Sequence, residues 1–255
     1  VALIELGGQR LSEHDVADLL ATDHPLVERF RFVKQREQPG HSVGFALVIE
    51  PRAGVRYRQL RDGRGARIEP VWRTLTGHER IGQGNRHIWQ ERGRVLAENQ
   101  TFFPNQEFND LGIGSALYVS MERLYRQLGI SQVTLLAVDV GVYVWARQGF
   151  AFMGQQAAGL VPDLERFLFG HGLPIDVDEG AIQESWDLAN FDIPGRQVDG
   201  YRAGKAFMLR AAPAWHGIKH LDDERHNAVA EASRRETFAR LPDKIEGAPA
   251  ELALR

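Results

Sequence analysis

A chain of 255 residues with 43% hydrophobic and 25% charged residues has a globular composition, with room for one large core or two small ones. A net charge of −3 argues against holding a long polyanion by bulk electrostatics, so nucleic acid is unsupported as a partner. The absence of cysteine excludes disulfides, a thiolate nucleophile, thiolate-bound zinc and an acyl-cysteine intermediate, and no apolar run reaches the roughly eighteen residues of a membrane span.

Ser12 and Asp15 stand as N-cap and third helical residue ahead of Val16, Leu19 and Leu20, which predicts a short amphipathic helix ended by Asp23-His24-Pro25. A second helical run is expected from Leu26 to about Gln35, with Phe30 and Val33 inward. From Ser42 to Phe103 the pattern turns to strands, at 43–49, 55–60, 66–75, 87–91 and 95–103. Asp62-Gly63-Arg64-Gly65 is the clearest hairpin turn between them. Arg52, Arg56, Arg58, Arg61, Arg64 and Arg67 gather on this hairpin and read as solvated charge rather than a nucleotide site.

The stretch from Asn109 to Phe150 carries the chemistry. Gly112-Ile113-Gly114 opens a helix on which Ile113, Leu117, Met121, Leu124 and Leu128 share one face, with Glu122 and Arg126 paired on the other. Amides at the start of such a helix have no partner in the helix, and partial positive charge collects there, which makes a phosphate cradle. Gly129 is placed to cap the helix, and 132–138 reads as a buried strand. Tyr143 to Phe150 reads as a short helix closed by Gly149-Phe150, with a strand starting at 151–153.

The pairing of Asn109-x-x-Gly112-x-Gly114 with Gly149-Phe150 resembles the GNAT acyltransferase superfamily. In that family the turn, usually Gln/Arg-x-x-Gly-x-Gly/Ala, binds the pyrophosphate of acetyl-CoA; Asn109 here replaces the Gln or Arg. The resemblance covers about Ser42 to Gly154 and implies acetyl-CoA contacts from Asn109, Leu111, Gly112, Ile113, Gly114 and Ser115. It adds Thr101, Phe102 and Phe103 at the end of the preceding strand. Four residues before Gly149, where the family often has a thiolate-protonating Tyr, this chain has Trp145, whose N–H donates a hydrogen bond but is no acid. Tyr143, two places earlier, could supply the proton. Glu98 is the candidate base, since family members often place a carboxylate on that strand, and Glu107 is second.

After Met153, helices are expected at 160–169 and 179–190, the second capped near Asp176 or Asp178, followed by a loop at 195–204 and a strand at 206–211. His216 and His220, with Asp222, Asp223, Glu224 and His226 nearby, read as a polar loop rather than a metal site, because Pro213 and Gly217 interrupt the helix that would align them. Asp222 to Leu241 reads as an exposed helix, and the tail beyond Pro242 as loose or partner-bound. The expected fold is α/β, a GNAT-like mixed, mainly antiparallel twisted sheet with flanking helices. The expected organisation is a 1–215 acyltransferase domain with a helical insertion at 159–200, then a 216–255 helical extension.

The resulting expectation is an N-acetyltransferase that moves a short acyl group from acyl-CoA directly to an amine. The alternatives are a GNAT-shaped interaction module and a toxin or effector domain. Because the chain opens on Val1 and shows no signal-peptide pattern, the location expected is cytoplasmic, with delivery there from a larger polypeptide as a variant of that reading.

Overall fold

A computed structural model of the chain describes residues 80–104 and 113–239, and before them Asp15 and the strand segments 2–6, 9–12, 32–33, 44–45, 54–59 and 65–73. The fold is mixed α/β, with antiparallel strands and flanking helices. Its packing divides into two compact units, residues 1–131 with 232–255 and residues 132–231.

The first unit opens on a hairpin, β1 (Ala2–Leu6) with β2 (Gln9–Ser12). Ser12 and Asp15 cap each other reciprocally as expected: the Ser12 amide donates to Asp15 Oδ2 at 2.7 Å and the Asp15 amide to Ser12 Oγ at 3.2 Å. The rest of that helix lies outside the described residues. Where a helix is expected over 26–35, Phe32–Val33 instead forms a short strand, β3, against β4 (Gly44–Phe45).

The meander follows as β5 (Gly54–Gln59), β6 (Gly65–Arg73), β7 (Arg80–Glu91) and β8 (Arg94–Pro104), each antiparallel to the next. Of the hairpin turn expected at Asp62-Gly63-Arg64-Gly65, the first three residues lie outside the described ones and Gly65 is the first residue of β6; β5 and β6 do pair. Arg92 and Gly93 join β7 to β8 with φ of 47° and 77°, the two positive values that match a tight turn to the twist of its strands. α1 (Ile113–Gln127) buries Leu117, Met121, Leu124 and Leu128 completely, as the period requires. Glu122, expected on a wet face, is only 8% exposed, although it pairs with Arg126 at 3.9 Å. Tyr118 and Tyr125 are buried beside it, so α1 is enclosed on more than one stripe.

The second unit holds β9 (Ile130–Ala137) from residue 132 on, α2 (Gly141–Arg147), β10 (Ala151–Phe152), α3 (Gln156–Gly170), α4 (Ser185–Asn190), α5 (Ala203–Arg210), β11 (Trp215–His220) and α6 (Glu224–Ala239) up to residue 231. β11 pairs antiparallel with both β9 and β10. Three expectations are corrected. The helix over 179–190 is a single 3-10 turn, Glu179–Ala181, capped by Asp178, and then the separate helix α4. The apolar run 206–211 is helical, because Ala203, Ala206 and Phe207 fall on one buried helix side. The late strand exists, but at Trp215–His220, where a polar loop is expected.

α2 ends in a Schellman cap. The Phe150 amide donates to the Trp145 carbonyl at 3.2 Å and the Gly149 amide to that of Ala146 at 3.1 Å. The Phe150 ring meets Trp145 edge-on at 5.3 Å, the apolar contact such caps carry. Gly149 has φ +78°, and a Cβ there would lie 2.0 Å from the His226 carbonyl oxygen. Gly149→Ala is therefore expected to cost about 3 kcal/mol or more. Gly129→Ala, at φ +70° with nothing within 4 Å, should cost only about 1–2 kcal/mol. Urea denaturation of the two variants checks the difference.

Candidate functional site

Sites in the first unit follow from how β8 faces its neighbours. Residues directly opposite in an antiparallel pair share a face, and Asn99 lies opposite Arg86, Glu98 opposite His87. Tyr125 of α1 donates its hydroxyl to Asn99 Oδ1 at 2.6 Å, so Asn99 and Arg86 face α1. Glu98, one residue earlier, faces the other way. It is half-buried and accepts a hydrogen bond from Gln100 Nε2 at 3.3 Å. Across from it, His87 stacks on Trp89 at 5.1 Å between centroids, and its Nε2 is buried without a hydrogen-bond partner. A carboxylate and an imidazole thus sit side by side on one face. His87 is visible only through the register and not in the linear sequence.

The pairing passes from Asn99 opposite Arg86 to Thr101 opposite Asn85, which leaves Gln100 as a bulge. The extra residue turns Phe102, opposite Gly84, back to the α1 face. Thr101 and Phe102 are both half-buried. Of the remaining residues assigned to acetyl-CoA, Gly114 and Ser115 occupy the first turn of α1, half-buried, and Ile113 is its first residue. Asn109, Leu111, Gly112 and the side chains of Phe103 and Ile113 lie outside the described residues.

On the α1 face, Arg86 is completely buried. Its Nη1 donates to the carbonyls of Asn85, at 2.9 Å, and of Thr101, the residues that flank the bulge. Its Cζ lies 5.4 Å from the centre of the Phe102 ring. The side chain folds back over Gly84, where a Cβ would come within 2.9 Å of Nη1. Burial, with Glu122 adding to it, pushes the hydroxyls of Tyr118 and Tyr125 above the ordinary phenol range, while Arg86 opposes the shift. Both hydroxyls therefore keep their protons at neutral pH and act as donors.

Tyr143 and Trp145 belong to the second unit. Tyr143 is half-buried, and Lys205 Nζ lies 5.3 Å from its ring centre. Trp145 is buried within the Schellman cap. Trp215 Nε1 donates to the Val142 carbonyl in the first turn of α2 at 3.2 Å, and the carbonyls around the cap are taken by side chains: Gln148 by Lys219 Nζ at 2.8 Å, Gly149 by His226 Nδ1 at 2.6 Å, and Phe150 by Ser185 Oγ. Gly149 and Phe150 are thus accounted for by helix termination and packing. His216 and His220 are exposed on the outer face of β11. Among the described residues, no group of three or more His, Asp or Glu side chains is placed to hold a metal ion. No helix among them is long and apolar enough to cross a membrane.

No protein-family model matches the chain, and neither does any curated protein sequence.

The His226 contact gives a pH dependence. Burial lowers its pKa below the ordinary value, with His220 and Lys219 adding to the effect and the Gly149 carbonyl and Asp223 opposing it. The fold therefore prefers the neutral ring. Between the lowered value and about 6.5 the unfolded chain binds the extra proton, so this contribution to stability is complete above about pH 6.5 and lost as pH falls below it. His226→Asn, which keeps a donor for the Gly149 carbonyl but does not titrate, should flatten that slope. Unfolding midpoints measured from about pH 5 to 8 check it.

Proposed function

We propose that the chain is an acyl-CoA-dependent N-acyltransferase of the GNAT type, which moves an acetyl or other short acyl group directly onto an amine. The observation that carries the reading is the order of elements. An antiparallel meander ends in β8 bearing Glu98, and α1 begins at Ile113, immediately after Asn109-x-x-Gly112. The amides of Gly114 and Ser115 then lie in a helical first turn, where unshared N–H groups and the helix dipole favour a pyrophosphate.

In this reading the thioester supplies an activated acyl carbon. The amine nitrogen attacks that carbon, the C–N bond forms as the C–S bond breaks, and the amine's surplus proton passes to the Glu98 carboxylate. His87 lies opposite Glu98 on the same face. Trp145 has no acidic proton to give, so the thiolate takes its proton from solvent. A second reading, a GNAT-shaped interaction module without turnover, is favoured by one observation: Leu136, Val138, Val140 and Val144 are all exposed at the end of β9 and the start of α2.

Two variants separate the readings. Gly114→Val should weaken coenzyme A binding at least tenfold, about 1.4 kcal/mol, with an unchanged circular dichroism spectrum; calorimetric titration reads it. Glu98→Gln should lower acetyl transfer to an amine panel by about a hundredfold or more while coenzyme A affinity stays the same. Wild-type protein that binds acetyl-CoA but transfers to no amine would favour the interaction module. Wild-type protein that does not bind at millimolar ligand would remove the acyltransferase reading.

A further inference from the structure

Strand register gathers charges that the linear sequence scatters. Directly opposite residues of an antiparallel pair share a face. On the face that holds Glu98, Glu98 stands opposite His87, His87 opposite Arg67, and Arg67 opposite Arg58. One row therefore crosses four strands with a carboxylate at one end and two arginines at the other. The next row toward the β5–β6 turn adds no charge, since it reads Gly65, Trp89 and Leu96. In the row on the other side Arg56 stands opposite Glu69. Three arginines of β5 and β6 thus share one face with a single carboxylate from those strands. Glu98, His87, Trp89 and Leu96 are half-buried, so solvent reaches this part of the face.

Solvation accounts for a single arginine on a sheet face, but it gives no reason to seat two directly opposite each other, an arrangement that destabilises the strand pair. A bound anion reverses that cost. We propose that this row selects the acceptor of the transfer: an amine that also bears an acidic group, carboxylate or phosphate, with the amine at Glu98 and the acid at Arg67 and Arg58. The inference rests on the acyltransferase reading, in which Glu98 receives the acceptor's proton. Neighbouring strands lie about 4.8 Å apart, so the backbones of Glu98 and Arg67 are separated by roughly 10 Å and those of Glu98 and Arg58 by roughly 14 Å. An acceptor with several carbons between amine and acid matches that interval better than one with a single carbon. A planar guanidinium suits the oxygens of either acid. The row also fixes the orientation, because a reversed ligand sets acid against Glu98 and ammonium against Arg67.

The test uses the full chain, acetyl-CoA and matched amines: 4-aminobutyrate, 6-aminohexanoate and 3-aminopropyl phosphate against butylamine, hexylamine and propylamine. The acidic amines are expected to react with kcat/KM at least tenfold above their neutral partners, a preference that added salt reduces. The lower KM of carboxylate or phosphate names the acid. Arg67→Gln and Arg58→Gln should each raise KM for the acidic amines at least tenfold, with kcat nearly unchanged and the neutral amines unaffected. Arg56→Gln, opposite Glu69, should alter neither. Circular dichroism checks that each variant is folded. Without coenzyme, calorimetry should show 6-aminohexanoate binding more tightly than hexylamine, and the double variant of Arg58 and Arg67 should lose the difference. The proposal is overturned if neutral amines react as well as acidic ones, if acidic amines neither bind nor react, or if both single variants keep the wild-type KM. Binding of 6-aminohexanoate through these arginines on a chain that does not bind acetyl-CoA would remove the acyltransferase reading and keep the acid site.

Discussion

The carbonyl groups at the end of α2 set the arrangement of the second unit. A helix leaves its last carbonyls without backbone donors, and burying them unpaired is costly. Here the Schellman cap takes two, and side chains from three other elements take more: Lys219 from β11, His226 from α6 and Ser185 from α4. Two buried titratable groups find their reason in this. Lys219 is held at the negative end of a helix dipole, and His226 Nδ1 donates to the Gly149 carbonyl. The aromatic contacts follow the same lines, with Trp215 edge-on to Phe152 and Trp186 edge-on to His226. Burial and polar satisfaction therefore select the same pairs of elements.

The first unit handles a similar demand differently. Its bulge at Gln100 turns two carbonyls toward the α1 face, and one cation answers both. Meeting that demand brings in a whole guanidinium, more donors than the bulge can use. The neighbouring polar groups are arranged around it: Tyr125 on Asn99, a glycine beneath the side chain and a phenyl ring over it.

Elements whose apolar residues repeat strictly were legible in the sequence. α1 was, through Leu117, Met121, Leu124 and Leu128, and so were β8 and β9 through alternation. β11 was not, because its inward positions are Trp215, Gly217 and Lys219 and its outward ones include Ile218, which inverts the usual code. Gly217 is inward because the Trp215 ring and Leu135 already fill the space a side chain would take. The first half of β7 was hidden in the same way, with Gly84 and Arg86 on its inward face ahead of Ile88. α5 was misread because Ala206-Phe207-Met208-Leu209 is too short an apolar run for its period to decide between helix and strand. Of the candidate site, Glu98 and the first turn of α1 could be named in advance. Arg86, Asn99 and His87 depend on strand register, which no single segment reveals.

The caps at the end of α2 also order events during synthesis. Their donors come from 35 to 77 positions further along the chain, so the turn at Gly149-Phe150 leaves the ribosome well before its partners do. Ser185 arrives first, then Lys219, and His226 last. Until His226 has emerged, the Gly149 carbonyl lacks this donor. Contacts of such long sequence separation form late because loop closure must precede their reward. A nascent chain stalled before residue 226 would therefore display the apolar side chains of this unit to chaperones.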